Sequence, residues 1–102
     1  MTLLIIAPDH LAARKIARDH GLLVERGNSF VMADDVRVVT RASGLVGWSR
    51  GTPVMFFDLA FWPANQGARC LMAGLLAGIQ SGRLRIAAPE DIAMHEIALT
   101  PS

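Results

Sequence analysis

The sequence predicts a three-layer α/β domain built on a mainly parallel sheet of four to five strands, and three observations carry that expectation. The first is the unbroken apolar run Leu3 to Ala7, followed by Pro8-Asp9, an amphipathic segment and Gly21. Continuous rather than alternating hydrophobicity marks a strand buried on both faces, as in a parallel sheet. The second is the stretch Val36 to Asp58, VRVVTRASGLVGWSRGTPVMFFD, in which a glycine-punctuated, doubly basic loop separates two short apolar runs. Proteins of the α/β class hold functional loops at the edge of the sheet in this way. The third is composition: 102 residues, 52% hydrophobic and 19% charged, which suits one well-buried domain over residues 1–102 and not a disordered chain.

Each element follows from local pattern. Asp9 is placed to cap a helix in which Ala12, Ala13, Ile16, Ala17 and His20 recur on one side while Arg14, Lys15, Arg18 and Asp19 fall on the other. Gly21 is a natural stop. Strand, capped helix, glycine and strand make a βαβ opening, so the segment after Gly21 is expected to join the parallel sheet. Leu22 to Val24 is brief and apolar, Glu25-Arg26-Gly27-Asn28 is a turn-rich interruption, and Phe30 to Ala33 reads as a short strand. Asp34-Asp35 reads as a solvated turn, since neighbours on an extended segment point to opposite faces.

Val36, Val38 and Val39 form the next strand, and Thr52-Pro53 begins another, Val54 to Phe57, closed by Asp58. Trp62-Pro63 opens a second helix with Pro63 in its first turn, Gly82 as its stop, and Leu71, Leu75, Leu76 and Ile79 as its apolar face. Within it Gly67, Gly74 and Gly78 cost about 1 kcal/mol each relative to alanine, which points to close packing along Gly74-x-x-x-Gly78, against the monomer's own core or against a second copy of the chain. Arg83 to Ala87 alternates as an edge strand does, Leu84 and Ile86 one way and the arginines the other. Pro89-Glu90-Asp91 starts a final short helix or an extended tail through Leu99; as a helix it puts Ile92, His95, Glu96 and Leu99 on one face.

Several function classes fall away on composition. A formal charge of +1 gives no overall basic field of the kind a dedicated nucleic-acid binder carries, so any attraction for phosphate is local. Cys70 is the sole cysteine, which rules out an intrachain disulfide and a cysteine-rich zinc site; lying in an apolar run, it reads as a small buried hydrophobe. His10, His20 and His95 are too far apart in sequence to clasp one metal as an i, i+4 pair. The N-terminal apolar stretch is too short for a signal peptide, and Cys70 to Ile79 is about half a membrane span. The expectation is a cytoplasmic, reduced protein that has no membrane partner. With no Walker A loop, catalytic triad or metal cluster, it is read as non-catalytic and needing no cofactor.

The candidate site is the loop after Val39. Arg41, Ser43, Gly44, Gly47, Trp48 and Arg50 combine the three ingredients of phosphate and base recognition. Glycines let backbone amides approach an anion, arginines supply charged forks, and an indole offers a stacking face. The lead expectation is therefore a small binding module for nucleic acid, nucleotide phosphate or a protein that handles nucleic acid. The competing account of the same residues is structural: the glycines serve tight turns while Leu45 and Trp48 fold onto the core. A second function class is a protein-interaction module, a homodimer or an inhibitor of a host enzyme, with Trp48, Phe61 and Trp62 as aromatic anchors. A third, a small enzyme, rests only on Asp58 with His10 or His95.

From Val36 to Asp58 the order of strand, Thr40-Arg41-Ala42, Gly44 or Gly47, and a strand closing on Asp58 resembles the fifth conserved motif of superfamily-two helicases. The opening Leu3 to Gly21 is similar to the strand and helix that begin the second RecA-like lobe of that family, with Gln66 and Arg69 near its sixth motif. The resemblance implies a Rossmann-like or RecA-like domain in which this segment touches nucleic-acid backbone and bound nucleotide. The phosphate loop, the second arginine of the sixth motif and the acidic residue after the glycine are missing, so it implies binding without a motor. The chain's size and the turn Leu45-Val46-Gly47-Trp48 are also similar to small uncharacterised bacteriophage proteins.

Overall fold

The computed structural model describes residues 2–27, 29–56, 62–95 and 97. Phe57, Asp58, Phe61, Glu96 and Leu99, which enter the sequence reading, lie outside them.

Four strands form a parallel sheet: β1 (Leu3–Ile6), β4 (Val36–Val39), β5 (Thr52–Met55) and β6 (Leu84–Ile86), in the order β4-β1-β5-β6. Leu3 pairs with Val36, Leu4 with Val54, and Thr52 with Leu84. All four residues of β1 are fully buried, as its unbroken apolar run requires of a strand flanked on both sides and covered on both faces.

Helix α1 (His10–Asp19) starts where the Asp9 carboxylate accepts from the Ala12 amide at 2.8 Å, and the chain leaves it through Gly21 at a φ of 73°. Its Ala13, Ile16 and Ala17 pack with Leu3, Ile5 and Ala7 on one face of the sheet. Helix α2 (Gln66–Ser81) covers the other face, where Ala68, Leu71 and Leu75 pack with Leu4, Ile6, Val39 and Val54. Helices thus lie on both faces of the sheet. A short helix, α3 (Pro89–Ala93), follows β6. It returns the chain to the α1 side, where Ile92 and Ile97 join the core and the Ile97 amide donates to Gly21 O at 2.9 Å.

The strand expected directly after Gly21 does not join the parallel sheet; the βαβ opening is closed instead by β4, which pairs parallel with β1. The segment after Gly21 is β2 (Leu23–Arg26), and it pairs antiparallel with β3 (Ser29–Met32) in a separate two-stranded sheet. The reason lies in its side chains: a strand inside a covered parallel sheet must be apolar throughout, whereas Glu25 and Arg26 are exposed. Gly27, at a φ of 61°, supplies the left-handed backbone that a two-residue hairpin connection needs. Asp34 and Asp35 form the exposed turn into β4.

Three further expectations are corrected. Helix α2 begins at Gln66 and not at Pro63, because Asn65 caps it by accepting from the Ala68 amide at 2.8 Å. Cys70 and Leu76 are exposed rather than buried, since both fall outside the stripe that meets the sheet. Trp62 is only 7% exposed and packs into the α2-side core, so it is not a surface anchor. Gly74 and Gly78, by contrast, serve close packing: a Cβ would come 3.0 Å from Leu45 Cδ1 at the first and 2.6 Å from Leu84 Cδ1 at the second.

Candidate functional site

In a parallel sheet every strand runs the same way, so each connection enters at one edge and leaves at the other. Thr40 and Arg41 follow β4 and stand at the carboxyl edge, beside Pro8 and Asp9, which follow the neighbouring β1. Arg50 and Gly51 precede β5 and stand at the amino edge. Four strand residues separate the edges, about 13 Å at the usual rise. The two arginines of the loop are therefore placed at opposite ends of the sheet.

Between them the loop crosses the α2 face as a 3-10 turn, Ala42–Leu45, with Leu45 buried against α2. Gly44 packs closely here: a Cβ would lie 3.0 Å from Val39 Cγ1. Its amide donates to Arg41 O at 3.0 Å and its carbonyl accepts from the Trp48 indole at 2.7 Å. Trp48 is half-buried against the same core. Ser43 and Gly47 are exposed, Gly47 at a φ of 88°. The Gly51 amide donates to Arg83 O at 2.8 Å. The Gly44 amide, a candidate anion donor by sequence, is thus already used within the fold, and so is that of Gly51.

What the structure does bring together lies at the amino edge. Thr2, Trp48, Ser49, Arg50, Gly51 and Thr52 line an open cleft of about 340 Å³. The Thr52 hydroxyl donates to Ser49 O, fixing the turn into β5. Arg50 is exposed, and one guanidinium nitrogen donates to Ser81 O at 3.0 Å at the end of α2, a site where the helix dipole favours a cation. Its remaining N–H groups are free to serve a second acceptor, as a guanidinium carries five donors. The Gly51–Arg83 bond brings in the strand before which Arg83, also exposed, is positioned. Thr2 and Arg83 are the residues that sequence spacing misses, because only the β1–β5 and β5–β6 ladders make them neighbours of residue 51.

The carboxyl edge has a different character. The N-terminus of α1 is occupied by the carboxylate of Asp9, which leaves little attraction for a phosphate there. Arg85 of β6 instead faces an acidic partner, donating to the two oxygens of Asp91 on α3 at 2.5 and 2.8 Å. Asp91 also accepts from the Ala88 amide at 2.8 Å. The Arg85 guanidinium, then that amide, hold the Asp91 carboxyl down at a pKa of about 2, and the hydrogen bond to Asp91 in turn raises the pKa of Arg85. His20 Nδ1 lies 2.9 Å from Ile16 O and His95 Nδ1 2.8 Å from Asp91 O, each within its own helical turn. Among the described residues no group of three or more His, Cys, Asp or Glu is placed to hold a metal ion. Among them, too, no helix is long and apolar enough to cross a membrane.

Compared with protein-family models, curated proteins and solved structures, the chain matches none.

Proposed function

We propose that the protein is a small binding module that takes a phosphate-bearing ligand, a nucleotide or a nucleic-acid strand, at the amino-edge cleft. The observation that carries this reading is that Trp48, Ser49 and Arg50, three chemically suited neighbours, line one cleft together with Thr2 and Thr52. Arg50 supplies the charged fork, with Arg83, whose carbonyl accepts from the Gly51 amide, as a second cation at the same end of the sheet, the Ser49 and Thr2 hydroxyls donate to phosphate oxygens, and the indole gives an apolar wall for a base. Arg41, at the opposite end of the sheet, and Ser43 and Gly44, which do not line the cleft, take no part in this reading. The scaffold is proposed to be Rossmann-like: numbering the strands of the parallel sheet alone, the order is 2-1-3-4, which supports that layout. Nucleic acid is also the ligand class that the resemblance to a helicase lobe implies.

A salt titration of binding to single-stranded and duplex oligonucleotides, with a nucleoside triphosphate alongside, tests the reading. Phosphate contacts make affinity fall steeply with salt. Arg50→Ala together with Arg83→Ala is expected to abolish most of that dependence, while Arg41→Ala leaves it unchanged. Absence of binding at low salt, or equal loss in the Arg41→Ala variant, overturns it.

A further inference from the structure

The β2–β3 hairpin leaves one strand edge unlike the others. Edge strands are normally protected from pairing by charged side chains. Among the described residues the strands with a free edge include β4, which carries Arg37, β6, which carries Arg85, and β2, which carries Glu25 and Arg26. The fourth, β3, reads Ser29-Phe30-Val31-Met32 and carries no charge. Two of its apolar side chains are well exposed, Phe30 at 43% and Val31 at 51%. A two-stranded ribbon is also the least stable sheet on its own, and gains most from further strands.

The hydrogen-bond parity of β3 decides what kind of strand it accepts. The Ala33 amide donates to Leu22 O at 2.8 Å, continuing the register in which Val31 faces Val24 and Ser29 faces Arg26. In an antiparallel ladder, alternate residues bond to the same neighbour. Ala33, Val31 and Ser29 therefore point their backbone groups at β2, and Phe30 and Met32 point theirs outward. Phe30 and Met32 also share a side-chain face: Met32 packs on the α1-side core, and the Arg14 guanidinium lies 4.5 Å over the Phe30 ring. Val31, with Val24 across from it, is on the opposite, outer face.

We propose that a second copy of this chain pairs antiparallel along β3, making a continuous four-stranded sheet β2-β3-β3-β2 across a two-fold axis at Val31. In this register Phe30 of each copy exchanges both backbone hydrogen bonds with Met32 of the other. It is the symmetric register that draws its hydrogen bonds from β3 residues alone; a shift either way recruits the flanking turns. The outer face then gains a stripe of four valines, Val24 and Val31 from each copy. The charges are complementary as well. Ala33 of one copy falls beside Ser29 of the other, which sets the Asp34-Asp35 turn about two strand spacings, roughly 10 Å, from Arg26, within reach of a guanidinium. Within the paired strands themselves no charged side chains oppose one another, since β3 carries none. The surface is separate from the amino-edge cleft, so the pairing stands whether or not that cleft binds phosphate.

Light scattering coupled to size exclusion is expected to give twice the 11.0 kDa of the chain, and Val31→Lys, which sets two lysines against each other on the axis, halves the mass with an unchanged circular dichroism spectrum. Register is read by crosslinking in a Cys70→Ala background. At a non-hydrogen-bonded antiparallel pair the Cα atoms lie about 4.5 Å apart, within the span of a disulfide. Val31→Cys should form an intermolecular disulfide under mild oxidation. Ser29→Cys should not, because the two Ser29 residues are four strand positions, about 13 Å, apart. A monomer at millimolar concentration overturns the proposal, as does a dimer that survives Val31→Lys or crosslinks as readily through Ser29→Cys. A strand supplied by a different protein would leave this chain monomeric and counts against it in the same way.

Discussion

The indole nitrogen of Trp48 donates to the carbonyl of Gly44 at 2.7 Å, closing the loop between β4 and β5 on itself and onto the face covered by α2. Trp48 so held is both a partly buried neighbour of the core and a wall of the cleft. Trp48→Phe keeps a ring in place and removes the donor, leaving a partly buried carbonyl without its partner. The variant is expected to lose about 1 kcal/mol of stability, read as a lower urea midpoint with an unchanged slope.

The glycines of α2 separate into two kinds. At Gly78 a Cβ would sit 2.6 Å from Leu84 Cδ1 and 3.0 Å from Leu84 Cγ. Leu84 is itself 2% exposed and has nowhere to retreat. The helix-propensity gain of about 1 kcal/mol is outweighed by an overpacking cost of about 1–3 kcal/mol, so Gly78→Ala destabilises. At Gly67 the nearest atom is Asn65 Oδ1 at an ordinary 3.5 Å, and Gly67→Ala is expected to stabilise by about 0.5–1 kcal/mol. Thermal melts of the two variants should move in opposite directions.

The Arg85–Asp91 pair ties α3, and with it the return of the chain to Gly21, to the edge of the sheet. Asp91 titrates near 2 when folded, mainly because of the Arg85 fork, against about 3.9 in an unfolded chain. A depressed carboxylate stabilises the fold at pH values above its unfolded pKa, and that contribution drains away as the pH falls from about 4 toward 2. Asp91→Asn should remove this part of the acid dependence. It should also raise hydrogen exchange at the Ile97 amide, while the amides of β1 remain protected.

What was legible in the sequence, and what was not, follows from the range of the forces involved. Strand β1 and helix α1 could be read because their signals are local: an apolar run, a capping aspartate, a terminating glycine. The same holds for the edge strand β6 and for the close packing at Gly74 and Gly78. The hairpin was misread because Gly27-Asn28 is a turn signal whose meaning depends on the burial of its flanks, and exposed Glu25 and Arg26 decide against the parallel sheet. The start of α2 is ambiguous in the sequence because Pro63 competes with Asn65, whose side chain satisfies the Ala68 amide. In the candidate loop the residue types were visible, but their arrangement was not. Arg41 and Arg50 are nine positions apart in sequence and at opposite edges in space, a separation that only the parallel direction of β4 and β5 imposes. Arg83 approaches Gly51 through a ladder between residues 32 positions apart.

The most direct test of the phosphate-binding reading is an amide chemical-shift titration with a nucleoside triphosphate at low salt. The account predicts the largest shifts at Thr2, at Ser49 through Thr52 and at Arg83, with Ser43 and Gly44 nearly still. Shifts centred on Arg41 to Gly44, or no shifts at all, would contradict it.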